Sequence, residues 1–216
     1  VQDAALAPVT LDAPTDWELV RSTLRVNTSI APVRWITPGE GASHTALNAF
    51  ISRIETYRDR NDPTKIGQSG LSAYFHFGHL APQRAALAAS AVGSPGAEDN
   101  PVDGFLEELI VRRELSDNFT FYNERYDSFL GFASWAQLTL NDHRADPREH
   151  VYTLEQWEGA LTHDELWNAA QRELLHTGRI HGYMRMYWAK KLLEWSASPE
   201  EALAFGIYLN DAYALD

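Results

Sequence analysis

Apolar residues recur at spacings of three and four along most of this chain, which is the pattern of helices that bury one face. The clearest early example runs from Ala46 to Tyr57 and ends before the turn-forming sequence at residues 61–63. Its predicted inward positions are Leu47, Phe50, Ile51, Ile54 and Tyr57. No stretch alternates apolar and polar residues over a strand's length, and no segment repeats. The pattern therefore predicts an all-α fold with helices packed around one core.

Four further segments carry the same periodicity, and Gly178 joins the last two of them. These helices are predicted over Ala81–Val92, Val102–Phe119, Thr162–Thr177 and Ile180–Trp195. The predicted inward face of the longest comprises Phe105, Leu106, Leu109 and Ile110.

Three helix starts carry the capping-box pattern, in which Ser or Thr is followed three residues later by Glu or Gln. The pairs are Thr153 with Gln156, Thr162 with Glu165, and Ser198 with Glu201. Pro199 follows the last cap at the first helical position, where its missing N–H costs nothing.

Residues 1–41 differ from the rest of the chain because they are rich in Pro, Ala and Thr. We expect a linker with one short helix near Trp17–Leu24, and a disordered leader is the alternative. Residues 42–216 then form the helical domain, interrupted by a flexible turn at residues 93–101. Because the chain opens with Val1 and its two Met residues come late, we expect it to be a piece of a longer protein.

Composition limits the chemistry. The chain has no Cys, which excludes disulfides, thiolate metal sites and cysteine catalysis. Its net charge of −12 argues against nonspecific binding to nucleic acid. One basic stretch could hold phosphates locally, although charge alone favours an ordinary solvated helix face. Its cations are Arg172, Arg179, Arg185, Lys190 and Lys191. No apolar run approaches the roughly 20 residues that cross a bilayer, and no signal peptide is visible.

Two pairs of side chains have the spacing of metal ligands, His76 with His79 and Glu173 with His176. A di-iron site needs two such Glu-x-x-His pairs and further carboxylates, and neither pair continues into a zinc-binding pattern. We therefore expect no metal site. The chain also has no glycine-rich nucleotide fingerprint, P-loop or nucleophile elbow.

Two local features suit a flat, charged ligand. The loop Ser69-Gly70-Leu71-Ser72 offers hydroxyl and backbone N–H donors, as phosphate-binding loops do, although most such loops are only loops. In the helix at residues 181–188, Gly182 removes bulk one turn before Arg185 and Met186. The alternative for this helix is packing on all sides within a core.

Two further sets of residues stay ambiguous by spacing alone. Glu108 is followed four residues later by Arg112, so an ordinary ion pair along one helix face is the simplest interpretation. Trp188 and Trp195 lie two helical turns apart, about 10 Å along the axis. An antiparallel neighbouring helix could bring Trp167 close to Trp188, which would form a redox series or simply anchor a core.

Taken together, these segments resemble class II cyclobutane pyrimidine dimer photolyases, from about Trp35 to Asp216. The most specific stretches are residues 60–63, 69–78, 105–119, 162–169, 178–191 and 209–211, which stand in the family's order. The resemblance implies the multi-helix FAD-binding domain of the photolyase and cryptochrome family, without the family's N-terminal α/β antenna domain and without its C-terminal end.

The resemblance also implies roles for single residues. Ser69, Gly70, Leu71 and Ser72 resemble the loop that contacts the FAD phosphates and ribityl chain, and Tyr57 resembles a further cofactor contact. Arg185 and Asp216 resemble the ion pair against the flavin ring, and Asn210 resembles the side chain near flavin N5. Glu108, Tyr183 and Met186 resemble residues that contact the dimer. Trp188 and Trp167 resemble the tryptophan pair that photoreduces FAD.

The implied activity is that of a deoxyribodipyrimidine photo-lyase, a carbon–carbon lyase in which photoexcited reduced FAD donates an electron to a flipped-out dimer. The implied partner is UV-damaged DNA, bound by a monomer in the cytoplasm of a prokaryote or in a nucleus. An antenna chromophore would belong to the full-length parent. The alternatives are a cryptochrome-like flavin light sensor without repair and a non-catalytic helical fragment.

Overall fold

The computed structural model describes residues 15–93 and 100–216, so the turn expected at residues 93–101 lies largely outside the described residues. All regular structure in the described ranges is helical, which confirms the predicted all-α class. None of the helices in these ranges is long and apolar enough to cross a membrane. The chain divides into two units, one ending at Ala31 and one running from Pro32 to Asp216.

The first unit contains the short helix that the sequence predicted, α1 (Trp17–Thr23). Asp16 caps it, because its carboxylate accepts hydrogen bonds from the backbone N–H groups of Glu18 and Leu19. No residue of α1 is buried.

The second unit contains ten α-helices within its described residues. They are α2 (Glu40–Ile51), α3 (Ser72–His76), α4 (Pro82–Val92), α5 (Pro101–Leu106), α6 (Arg113–Tyr122), α7 (Ser134–Asp142), α8 (Leu154–Glu158), α9 (Glu165–Thr177), α10 (Gly182–Glu194) and α11 (Pro199–Tyr213). Two 3₁₀ segments, Ile54–Asp59 and Phe129–Gly131, and one π-helical segment, Glu107–Arg112, complete the regular structure.

The helix predicted over Ala46–Tyr57 begins earlier and breaks before its end. α2 stops at Ile51, and the chain continues as the 3₁₀ segment Ile54–Asp59. The hydroxyl of Ser52 bonds back to the Ala49 carbonyl, which offers the backbone an alternative to continuing the helix. Four of the five predicted inward positions are nevertheless buried, and Ile51 is partly buried.

The helix predicted over Val102–Phe119 extends at both ends and carries the π segment in its middle. Phe105 and Leu109 are buried as predicted, whereas Ile110 is exposed, contrary to prediction. A π turn holds more residues than an α turn, so it rotates the following side chains away from the face that 3.6-residue periodicity predicts.

The three predicted helix caps have different outcomes in the structure. Thr153 and Gln156 form both hydrogen bonds of a capping box. Ser198 caps α11, but the Glu201 carboxylate accepts from Ala197 N–H rather than from the cap residue. At the start of α9 the prediction is wrong: Asp164 is the cap. The Thr162 hydroxyl donates instead to the Asn168 side chain.

Two buried clusters lie in the second unit. The N-terminal core comprises Leu47, Phe50, Ile54, Tyr57, Leu71, Tyr74, Leu80, Ala85, Ala89, Val102, Phe105 and Leu109. The tryptophan core comprises Trp157, Trp167, Ala170, Leu174, Ile180, Trp188, Leu192, Trp195 and Leu209. The sequence predicted one core, and the structure has these two.

Candidate active site

A cavity of about 370 Å³ is lined by side chains from elements of both cores. This volume is in the range of small-molecule sites, about 300–1,000 Å³. One part of its wall is formed by the 3₁₀ segment Ile54–Asp59, the π segment and the loop before α3. The start of α10 and the last residues of the chain form the other part. The cavity thus unites segments that are distant in sequence.

The loop before α3 forms part of the cavity lining. Ser69, Gly70 and Ser72 line the wall, whereas Leu71 is fully buried in the N-terminal core beneath them. Gly70 has a φ of 72°, a left-handed conformation that favours glycine, and the space before its Cα is open. Arg53 holds the loop by donating to the carbonyl of Gln68 at 3.0 Å.

Gly182 has the close approach that its position suggested. A Cβ atom at this residue would lie 3.2 Å from the side-chain nitrogen of Gln68, so a larger residue would have to displace the end of that side chain. Gly182 and Gln68 both line the cavity. Glycine therefore allows the loop and the start of α10 to meet at one wall.

Glu108 faces the cavity and does not pair with Arg112 as helical spacing suggested. Arg112 contacts its neighbour Glu107, with Nε 3.3 Å from Oε1. Glu108 instead faces Arg60, whose Nε lies 3.8 Å from its Oε1. The wider turn of the π segment brings residues five apart together, and this pairing leaves Glu108 directed at the site.

Tyr57 lines the same wall, packed between the N-terminal core and Arg60. The Arg60 guanidinium lies over its ring, 5.2 Å from the centroid. Burial raises the pKa of Tyr57 to about 12; the nearby Glu108 carboxylate adds to the rise, and Arg60 opposes it. The phenol therefore keeps its proton at neutral pH.

Arg185 and Asp216 form an ion pair at the opposite wall, with Nη2 2.6 Å from Oδ1. Both residues line the cavity, as does Met186, the next residue of α10. Tyr183 is exposed and lies outside the lining. Asn210 also lies outside it, in the last turn of α11, where its carbonyl accepts from Ala214 N–H.

Trp167 and Trp188 lie inside the tryptophan core, as close to each other as the sequence predicted. Their rings are parallel within 7°, with centroids 6.2 Å apart. The Trp188 indole N–H donates to Gln171 at 2.8 Å, and that of Trp167 donates to the Trp188 carbonyl at 3.1 Å. Neither indole lines the cavity.

Trp157 was missed by sequence reasoning, although it connects the other indoles. Its ring centroid lies 4.6 Å from that of Trp167 and 6.1 Å from that of Trp195. Its buried N–H has no hydrogen-bond partner. The capping box at Thr153 predicts the helix that contains it, but helical spacing within α8 cannot identify neighbours on α9 and α10.

Several other residues of the cavity lining were not predicted as site residues, among them Trp35, Arg60, Gln68 and Arg179. The Trp35 indole donates to the Thr177 carbonyl at 2.7 Å, and Arg179 lies over the same ring. Arg60 stood within a motif, without a role. A cation beside a glycine-rich turn was the available signal.

The basic stretch of α9 and α10 is largely neutralised by local pairs. Arg172 contacts Glu165 at 3.2 Å, Lys191 contacts Glu194 at 2.7 Å, and Arg185 contacts Asp216. A second hollow of about 540 Å³ shares Gln68, Gly70 and Arg179 with the cavity. Within the described ranges, no three His, Asp or Glu side chains are grouped as metal ligands.

Known proteins resemble this chain closely in sequence. It is 52 % identical over 209 residues to the deoxyribodipyrimidine photo-lyase of Oryza sativa subsp. japonica, covering 93 % of this chain and 41 % of that protein. The photo-lyase of Potorous tridactylus is 49 % identical, covering 94 % of this chain and 38 % of that protein. The photo-lyase of Methanothermobacter thermautotrophicus is 49 % identical, with 82 % and 39 % covered. The chain thus spans about two fifths of these relatives.

A solved bacterial class III photolyase from Agrobacterium tumefaciens has a similar fold. The TM-score is 0.55 at 22 % sequence identity, and the match covers 83 % of this chain and 40 % of that one. No family model matches the chain.

Proposed function

We propose that this chain belongs to the deoxyribodipyrimidine photo-lyase family, whose members it matches at 49–52 % identity over most of its length, and that it is the flavin-binding region of a class II enzyme. The proposed activity is light-driven repair of cyclobutane pyrimidine dimers in DNA. The observation that carries the proposal is the single cavity that joins the loop at residues 69–72, Glu108 and the Arg185–Asp216 pair. The proposed catalytic domain comprises residues 42–216, preceded by a linker.

The cavity wall suits FAD by its chemistry. The hydroxyls of Ser69 and Ser72, together with the open space before Gly70, suit a phosphate-bearing chain. The Arg185 guanidinium, fixed by Asp216, suits the polar edge of an isoalloxazine ring. When bound in its reduced form, FAD would supply one electron to the dimer under light and accept it again after the bonds break.

The chain's own residues would hold the lesion at the same cavity. Glu108 would hydrogen-bond the dimer, and Met186 would pack against it, because both line the cavity that Tyr57 also lines. Tyr183, one turn away and exposed, would contact the extruded nucleotide as it enters. Asn210 would reach flavin N5 only if the cofactor's cavity extends along the end of α11.

The tryptophan core would supply electrons when oxidised FAD is photoreduced. Trp188 and Trp167 are stacked and buried, and their indole N–H groups donate hydrogen bonds to amide oxygens. An amide is a weak base, so these side chains can transfer an electron without first losing a proton. Leu71 would support the cofactor loop from beneath rather than touch FAD through its side chain.

UV-damaged DNA would be the partner of the full-length protein, which we expect to act as a monomer in a prokaryotic cytoplasm or a nucleus. Because the net charge is −12 and the basic stretch is locally paired, specific contacts at the extruded dimer would have to supply much of the selectivity.

The test uses the full-length enzyme reconstituted with FAD. We expect Trp188→Phe to abolish photoreduction of oxidised FAD while chemically reduced enzyme still repairs dimers. We expect Glu108→Ala to lower the repair yield with FAD still bound. Trp135→Phe, at an exposed tryptophan, is the matched control. Flavin binding without any repair would instead indicate a light sensor, and absence of flavin absorbance would indicate a non-catalytic module.

A further inference from the structure

We propose that Arg60 is a positioning residue that aims the Glu108 carboxylate at the lesion and thereby sets the preference for damaged over undamaged DNA. This inference rests on the proposed function of the cavity, and it adds a residue to which neither motif nor spacing gave a role. Arg60 touches Glu108 and Tyr57, and all three line the cavity.

Arg60 and Glu108 lie close together but do not form a hydrogen bond. Nε of Arg60 lies 3.8 Å from Oε1 of Glu108, which is beyond hydrogen-bond distance. The same Nε is buried and has no hydrogen-bond partner. A buried donor without an acceptor is unfavourable, so it favours any change that brings the carboxylate nearer. A lesion that fills the cavity and excludes water would strengthen this pair.

The backbone around Arg60 is built to hold the guanidinium in place. Gly67 packs against the peptide between Asp59 and Arg60, where an added Cβ would lie 2.6 Å from Arg60 N. Gly104, on α5, leaves room for the guanidinium, because a Cβ there would lie 3.4 Å from Nη1. The ring of Tyr57 covers the guanidinium at 5.2 Å. Gly104 and Tyr57 therefore flank the guanidinium, and Gly67 packs against the peptide that carries it.

Arg60 is the cation that lies nearest to Glu108 among the ion pairs of this wall. Arg112, the cation that helical spacing offered to Glu108, contacts Glu107 instead. The influence of both groups on a third supports the pairing: the carboxylate raises the pKa of Tyr57, and the guanidinium lowers it. Tyr57 thus reports on the pair without any cofactor or substrate.

The first measurement is binding in the dark, by fluorescence anisotropy, of a thymine-dimer oligonucleotide and its undamaged counterpart to the full-length enzyme. We expect Arg60→Met to weaken dimer binding about tenfold, a loss of about 1.4 kcal/mol, with undamaged DNA unaffected. Arg60→Lys should recover part of the loss. Arg60→Met combined with Glu108→Gln should bind no more weakly than Glu108→Gln alone, because coupled residues are not additive.

Arg112→Met is the matched control. It also removes a cation, but from the π segment that carries Glu108 and outside the cavity lining. Equal losses for damaged and undamaged DNA would make Arg60 an ordinary phosphate contact and overturn the inference. Additive effects of the Arg60 and Glu108 substitutions would overturn it as well. If the unsubstituted enzyme does not prefer the dimer, the proposed function itself fails.

The second measurement needs neither DNA nor flavin. NMR of ¹³C-labelled tyrosine in the 216-residue protein, assigned with Tyr57→Phe, follows the titration of Tyr57. We expect Arg60→Met to raise the pKa of Tyr57 further and Glu108→Gln to lower it. In Arg60→Lys, the pKa of Tyr57 should stay close to its original value. A pKa of Tyr57 that is unchanged in both Arg60→Met and Glu108→Gln would overturn the pairing.

Discussion

The two cores of this protein differ in how they treat polar atoms. In the N-terminal core, Phe50, Tyr57 and Phe105 pack ring against ring, with centroids 4.8–5.7 Å apart. In the tryptophan core, indole N–H groups are buried together with the side chain of Gln171, which is fully buried. The first core is stabilised mainly by apolar contact, whereas the second also depends on the pairing of buried donors.

This difference separates two tasks. The N-terminal core carries its charged residues at its edge, where Arg60 and Glu108 meet the cavity. The tryptophan core places its indole rings in the interior, and on its side the cavity is lined by Ile180, the start of α10 and the last residues of the chain. A binding wall needs exposed charge on a rigid base, and an electron path needs closely packed rings shielded from water. The proposed function would assign the binding wall to the first core and the electron path to the second.

The largest expected effect tests the apolar character of the N-terminal core. Phe50 is fully buried between Tyr57 and Phe105, so Phe50→Ala should lower the free energy of unfolding by about 4 kcal/mol. Chemical denaturation measures this loss. Leu87→Ala, at an exposed position of α4, is the control and should change stability by less than about 0.5 kcal/mol. Equal losses at both positions would contradict the described core.

The next effect concerns the one titratable group within the N-terminal core whose pKa is raised to about 12, Tyr57. A raised pKa means that the folded protein holds the phenol proton more tightly than the unfolded chain. The resulting stability is complete below pH 10 and is lost as the pH rises from 10 to 12. Two pKa units correspond to about 2.7 kcal/mol.

Tyr57→Phe should remove this pH dependence, measured by urea denaturation at several pH values between 9 and 12. Tyr187 and Tyr213 also have pKa values raised to about 12, mainly by burial, but they are present in both proteins and cancel in the difference. Tyr126→Phe, at an exposed tyrosine, is the control. A parallel pH profile for Tyr57→Phe and the original protein would rule out the raised pKa.

The smallest effect tests the polar dependence of the tryptophan core. Gln171→Met keeps the side-chain length but removes the acceptor of the Trp188 indole N–H, which should cost about 2 kcal/mol in unfolding free energy. Leu71→Met, an equally buried exchange in the N-terminal core, should cost less than about 1.5 kcal/mol.

A double-mutant cycle sharpens this comparison. Trp188→Phe should destabilise the Gln171→Met variant less than it destabilises the original protein, because the indole N–H has already lost its partner. If the two substitutions are additive, the hydrogen bond between Gln171 and Trp188 does not stabilise the tryptophan core, and the two cores are more alike than their contacts indicate.

The sequence anticipated most helices because helix formation depends on neighbours within a few residues. Apolar spacing placed Phe50, Phe105 and Leu109 inside, and capping patterns located the starts of α8 and α11. It failed where a local choice had a competitor. Asp164 replaced Thr162 as the cap of α9, because the Thr162 hydroxyl found Asn168. Ile110 is exposed because the π segment changes the helical register on which the prediction depended.

By itself, the sequence determined the all-helical class, most of the apolar faces and the similarity to deoxyribodipyrimidine photo-lyases. Only the tertiary structure decided that Glu108 faces Arg60 rather than Arg112, that Trp157 joins the other indoles, and that Gly182 admits Gln68. The physical reason is range. Periodicity and capping act over about four residues, whereas a cavity wall and a ring stack depend on side chains that only the packing of distant helices brings within a few ångströms.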